Sequence, residues 1–172
     1  LQMNDFLAGK KILLTTSHTD VGSGGSMQMF LLARGLIEAG AGVDILFKKS
    51  KPGKTPKLDL YDGLGAGIDF FSPNRWYNPA EISRMRKRLL ANRYDVVHTH
   101  KGGDLSLVLL AGRNIPIPAL LNTRGVNFPL GMNRFKYNIK KLDRIIVVSG
   151  QSKEVMVDCG VKADKIEVIY GG

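Results

Sequence analysis

Two hydrophobic periods alternate along the chain. "KKILLTT" (Lys10–Thr16) is a short apolar run of β type. After a glycine-rich turn, "SMQMFLLARGLIEAG" spaces Met29, Leu32, Ala33, Leu36 and Ile37 as one face of a helix that begins near Ser26. Gly40 suits its end. "GVDILF" predicts a second strand and "IDFF" (Ile68–Phe71) a third, separated by a basic loop rich in Pro and Gly. "NPAEISRMRKRLLANR" places Asn78 as N-cap, Pro79 at the first helical position and Glu81 at the third, a capping-box arrangement, with Ile82, Met85 and Leu89 on one face. "YDVVHTH", "DLSLVLLAGRN", "IPALLNT", "NRFKYNIKK", "RIIVVS", "QSKEVMVDCG" and "KIEVIY" continue the pattern. Strands this uniformly apolar predict an α/β fold with a mainly parallel sheet covered on both faces, a three-layer α/β/α arrangement.

In such sheets ligands bind beyond the carboxyl ends of the strands. That rule selects Ser17, His18 and the glycines after the first strand, His100 and Lys101 after "YDVVHTH", Arg124 and Asn127 after "IPALLNT", and Ser149 after "RIIVVS". The first turn, within "TTSHTDVGSGGSMQMF", packs Gly22, Gly24 and Gly25 into four positions. Glycines there admit backbone N–H groups to a phosphate beside a helix N-terminus. The plainer reading is a tight turn needing positive φ.

The length, 172 residues, fits one domain with a real core. No apolar run approaches the roughly 20 residues that span a bilayer, and the start lacks the features of a secretory signal, so a cytoplasmic protein is expected. Cys159 is the only cysteine, which excludes an internal disulfide and a cysteine-based zinc site. Lysine and arginine number 25 against 15 acids, a formal charge of +10 that favours anionic partners. The excess gathers in "KKSKPGKTPK" (Lys48–Lys57), "RMRKR" (Arg84–Arg88) and "NRFKYNIKK" (Asn133–Lys141). On the helix from Pro79, Arg84, Lys87 and Arg88 fall on the outward side and Arg86 on the flank, a strip suited to anionic lipid.

Several chemistries are disfavoured. Met27 stands where a dinucleotide fingerprint needs its third glycine, and the second strand ends in "FKKS" without a ribose-binding acid. "PGKT" (Pro52–Thr55) imitates a phosphate-loop ending but has no strand before it or helix after. No Gly-x-Ser-x-Gly elbow and no Asp-x-Asp occurs. His98 and His100 alternate on one strand and face the same side, so they can hold a metal if His18, Asp20 or Asp104 adds a ligand. His98, farther from the strand end, better fits a satisfied core histidine, and His100 a cleft residue.

Taken together, "KILLTTSHTDVGSGGSMQMFLLARGLIEAGAGVDILF", "YDVVHTHKGGDLSLVLLAG" and "LDRIIVVSGQSKEVMVDCGVKADKIEVIYGG" resemble the N-terminal half of the family-4 retaining glycosyltransferases, the glycosyl transferases group 1, in order and spacing. The resemblance implies a GT-B architecture of two Rossmann-like domains. Residues 1–172 would be the acceptor-side domain, ending at Gly171-Gly172 where relatives cross into the donor domain, and inactive alone. Gly24 and Gly25 sit where relatives approach the donor phosphates. Many relatives carry a histidine after the fifth strand, where this chain has Arg124, a fork suited to phosphate or carboxylate. The resemblance thus implies Arg124 at the reacting centre and Ser17, His100, Lys101, Asn127 and Ser149 toward the acceptor, with no metal and no cofactor. It implies a nucleotide diphosphate sugar donor bound mainly by the other domain, and an anionic or lipid-linked glycan acceptor such as bacterial lipopolysaccharide or another envelope glycan. Peripheral contact with anionic membrane at its inner face fits the charge. Nucleic acid is not expected, because aromatics are not interleaved with the basic clusters. Two other readings stay open: a non-catalytic nucleotide- or polyanion-binding module, and a metal-dependent hydrolase using His98 and His100.

Overall fold

A computed structural model describes residues 6–18, 24–49, 58–72 and 78–170. Asp20 and Gly22 of the glycine turn, the Pro52–Thr55 segment and Gly171-Gly172 lie outside the described residues. Seven strands form one sheet: β1 (Lys11–Thr16), β2 (Gly42–Lys48), β3 (Gly67–Phe71), β4 (Val96–Thr99), β5 (Ala119–Arg124), β6 (Arg144–Val147) and β7 (Ile166–Val168). Their order is β3-β2-β1-β4-β5-β6-β7, and every pairing is parallel. The helices are α1 (Gly24–Glu38), α2 (Pro79–Asn92), α3 (Gly102–Ala111) and α4 (Gly150–Asp158). The predicted α/β, Rossmann-like fold is the one observed.

Alternation along the strands divides the core between two faces. Ile12, Leu14, Val43, Ile45 and Phe47 pack with Met29 and Ala33 of α1. Leu13, Leu46, Val97, Leu120 and Ile145 point the other way, into a larger cluster with Met85 and Leu89 of α2, Leu105 and Val108 of α3 and Met156 of α4. On the α1 side of β5 and β6, Leu121 and Ile146 are only half-buried among the described residues.

α2 shows how a sequence pattern is put to use. Asn78 caps it, its Oδ1 accepting from Ala80 N at 3.0 Å, with Pro79 following. The capping box does not close as read. The Glu81 carboxylate instead accepts from Ser72 N at 3.2 Å and ties the helix start to the end of β3. The basic strip also departs from expectation. Arg88 turns inward onto Asp69, Asp44 and Tyr94, and Arg84 reaches Asp69 at 2.8 Å. Arg86 donates to the carbonyls of Ala111 and Arg113 at 3.1 and 2.9 Å. The cause lies in the neighbouring strands. β2 and β3 place Asp44 and Asp69 beside the helix, and Gly67 leaves space that a Cβ would take from Asp44, 2.3 Å from its Oδ1. Arg88 is thus withdrawn from the predicted outward strip, while Arg84, Arg86 and Lys87 stay exposed.

Candidate functional site

The chain runs outward from β1 in both directions across the sheet, so β1 and β4 flank a point where the connections diverge. A crevice outside the carboxyl ends of the strands is expected there. A cavity of about 520 Å³ occupies it. His18, Gly25 and Gln28 form one wall, His100 to Gly103 a second, and Thr123 to Val126 with Phe128 a third.

Both helices that start at this crevice begin on a glycine pair, Gly24-Gly25 in α1 and Gly102-Gly103 in α3. α1 thus starts two residues earlier than its apolar spacing indicates. Gly24 and Gly25 do not have left-handed φ, so the positive-φ explanation does not apply to them. Close approach does apply to Gly25, where a Cβ would lie 3.0 Å from His18 Nε2. At Gly102 a Cβ would meet the Tyr137 hydroxyl at 2.9 Å and Lys136 Nζ at 3.1 Å. Bare backbone at both helix starts leaves N–H groups and the positive ends of two helix dipoles beside the cavity.

His98 is buried, and its Nε2 lies 2.8 Å from Thr123 Oγ1. Its ring stacks on that of His100 with centroids 4.4 Å apart. Burial lowers the His98 pKa to about 4. His100 is lowered well below the usual histidine range by burial and then by the neighbouring His98 and His18. Both rings are therefore neutral at ordinary pH, which lets them stack without repulsion. His98 Nε2 is already engaged by Thr123, and the described residues, which do not include the candidate ligand Asp20, hold no group of three metal-binding side chains.

Asp104, in the first turn of α3, is fully buried and accepts a hydrogen bond from Ser17 Oγ. Burial raises its pKa to about 6, opposed by the Ser17 hydrogen bond and by the charge of Lys101. Ser17 and Asp104 thereby pin the loop after β1 to α3. Lys136 Nζ fastens the same helix start from outside, donating to Gly102 O at 2.6 Å and Ser106 Oγ at 3.0 Å.

Arg124 is the last residue of β5. Its Nη2 donates to the Phe128 carbonyl at 2.5 Å, and the guanidinium carbon stands 5.3 Å from the centre of the Phe128 ring. No carboxylate among the described residues pairs with it, so the plain reading of a surface ion pair finds no partner there. Its Nε is buried without a partner. Thr15 Oγ1, His100 Nε2, Asp104 Oδ2 and Asn122 Oδ1 share that condition. These residues lie on or just after β1, β4 and β5, toward their carboxyl ends. Of these five residues, His100 and Arg124 line the cavity.

Of the residues selected from the sequence, the structure brings Gly25, His100, Lys101 and Arg124 to the cavity wall, with Gly24 starting the adjacent helix. Ser17 turns onto Asp104 instead. Asn127 is exposed and donates to Gln151 Oε1 at 3.2 Å, while Ser149 caps α4 by accepting from Ser152 N at 3.2 Å, and neither lines the cavity. Gln28, Thr123, Gly102-Gly103 and Phe128 were missed. "KGGD" carried a legible signal, since it repeats the glycine pair that opens α1.

Residues 22–172 match the family described as Glycosyltransferase Family 4. No curated protein sequence matches the chain. Among solved structures, Anabaena Alr3699/HepE in complex with UDP and glucose is similar at 15% identity and a TM-score of 0.71, over 95% of this chain and 44% of that one. A glycosyltransferase from Rickettsia africae is similar at 22% identity and a TM-score of 0.74, over 95% and 43%. The lipopolysaccharide outer core galactosyltransferase WaaB is similar at 13% identity and a TM-score of 0.64, over 94% and 45%. The chain thus spans less than half the length of each, and the likeness is one of fold.

Proposed function

Because the chain belongs to Glycosyltransferase Family 4, we propose that it forms the N-terminal, acceptor-side half of a GT-B enzyme that moves a sugar from a nucleotide diphosphate sugar to a glycan acceptor. A second domain supplies most of the donor contacts. The observation that carries this reading is the cavity at the diverging strands, bordered by the first turns of two helices with glycine pairs and by Arg124, with which no carboxylate among the described residues pairs. Helix N-termini and an unpaired guanidinium are suited to negative charge that grows on a departing diphosphate. The transfer we assign is retaining and metal-independent, resting on electrostatic stabilisation of the leaving group.

The acceptor we assign is anionic or lipid-linked. Arg124 and Lys101 at the cavity wall support it, as does the similarity to a lipopolysaccharide galactosyltransferase. No helix among the described residues is long and apolar enough to cross a membrane, and the reading places the enzyme on the cytoplasmic side.

The test is transfer of label from UDP-sugars by the complete enzyme. Gly25→Val sets a branched side chain where the backbone meets both cavity and His18. Turnover should fall roughly tenfold or more, about 1.4 kcal/mol, with an unchanged circular dichroism spectrum. Wild-type turnover in that variant would return the glycine pair to a packing role. Absence of transfer by the wild type across nucleotide sugars would reject the function.

A further inference from the structure

The segment from Arg124 to Lys141 contains Arg124, Arg134, Lys136, Lys140 and Lys141 and no acid. It also carries two of the most exposed aromatic rings of the described residues, Phe128 at 64% and Phe135 at 70%, with Val126 and Ile139 exposed beside them. The strap folds so that Arg124 comes near Lys136. Arg124 lies on Phe128, and its charge is near enough to Lys136 to lower the lysine's pKa, after the larger effect of burial.

The bonds of these cations differ from those of α2. Arg84 and Arg88 face Asp69 and Asp44, which offset their charge. Along the strap the partners are neutral carbonyls: Phe128 for Arg124, Gly102 for Lys136, and Gly112 and Ile115 for Lys141. Arg134 lies over the Phe135 ring, 5.2 Å from its centre. The side chains are held in place without an ion pair among the described residues, and only Lys136 feels a carboxylate, that of buried Asp104. Exposed aromatic rings between such cations match the boundary of an anionic bilayer, where rings enter the headgroup region and cations attract the lipid phosphates.

We propose that the strap 124–141 is a docking surface for an anionic lipid bilayer, with Phe128 and Phe135 entering the interface and Arg134 and Lys140 facing the headgroups. Gly125, Val126 and Phe128 belong both to the strap and to the cavity wall, so the cavity opens at the edge of the docked surface. A lipid-borne acceptor would reach it without leaving the bilayer, a clause that rests on the function proposed above. Single-stranded nucleic acid fits less well, because a guanidinium already lies over a face of each ring on which a base would stack.

The experiment uses the purified chain and vesicles of phosphatidylcholine, with or without about a third phosphatidylglycerol, at about 0.1 M salt, where the field reaches only about 10 Å. Trp76 is the only tryptophan, so Phe135→Trp in a Trp76→Phe background gives a single reporter. Its emission should shift to the blue with the anionic vesicles and not with phosphatidylcholine alone. Arg134→Glu and Lys140→Glu should each weaken co-sedimentation roughly fivefold or more, the worth of one basic residue near such a surface. Lys87→Glu on α2 should change it less than about twofold, since docking is local within a Debye length. No blue shift, or equal losses from all three charge variants, would overturn the proposal. So would quenching of the reporter by single-stranded RNA without a response to vesicles. No sugar takes part in these measurements, so their failure leaves the transferase reading standing, and a failed transferase assay leaves the docking result standing.

Discussion

Arg124 is the residue on which the site assignment most depends. Its Nη2 is fixed by the Phe128 carbonyl, while its Nε is buried without a partner. If the fork receives an anionic oxygen, Arg124→Ala in the complete enzyme should lose on the order of 1.5–3 kcal/mol in kcat/KM, and Arg124→Lys should be damaging too, because a point charge cannot form two parallel hydrogen bonds. Values within about threefold of wild type for both would remove Arg124 from the site. Asp104 and His98 give a second prediction, read from pH. Asp104 is raised from 3.8 to about 6, so the stability it contributes is full at low pH and is lost as pH rises through 6. His98 is lowered from 6.5 to about 4, so its contribution is full above 6.5 and is lost as pH falls toward 4. Each effect is at most on the order of 3 kcal/mol, and the lowered His100 adds to the histidine side. The chain should therefore lose stability on acidification from pH 6.5 to 4. Asp104→Asn should steepen that loss and His98→Gln should flatten it, as followed by urea denaturation across this range. Identical slopes in all three would mean that these groups titrate normally. The sequence located Arg124 and His100 through their places after strands. It cast Asp104 only as an optional metal ligand, because its pairing with Ser17 joins positions 87 apart and leaves no local trace.

At the scale of elements, α2 separates what a local pattern reveals from what it does not. Asn78 caps the helix as its spacing indicates, and Asn78→Ala should cost about 1 kcal/mol in chemical denaturation. Period and cap are legible because they depend on residues three or four apart. The direction of Arg88 is not, because it is set by Asp44 and Asp69 on strands far away in the chain. Among the described residues, Arg88→Leu leaves Asp69 with Arg84 as its one cation and Asp44 with only the Tyr94 hydroxyl, and should cost about 1–3 kcal/mol. Arg84→Ala, at a half-exposed pair, should cost under about 1 kcal/mol. Equal effects of the two would show that Arg88 is no better placed than a surface charge. The helix starts teach the same lesson. α1 is already helical at Gly24, whereas its apolar spacing becomes visible only further in.

For the whole molecule, the alternation of periods was enough to indicate a parallel α/β sheet, and the paired strands bear it out. Strand order was not legible, because nothing local in β1 says that β4, rather than β3, becomes its second neighbour. The crevice followed from that order, so its residues were found only as far as the strand-end rule reached. The division of the core has a consequence for synthesis. The cluster under α1 is drawn from Ile12 through Tyr61, while the opposite cluster runs from Leu13 to Ile166. A chain emerging from the ribosome therefore completes one side of its first three strands while Leu13, Leu46 and Phe71 on the reverse still face water. Translation at about 5–20 residues per second keeps that half-clad intermediate exposed for seconds. Nascent chains arrested after β3 should bind a hydrophobic-segment chaperone, and those arrested past β7 should release it. Crosslinking at the two arrest points would show this, and equal capture at both would mean that the sheet closes only after synthesis ends.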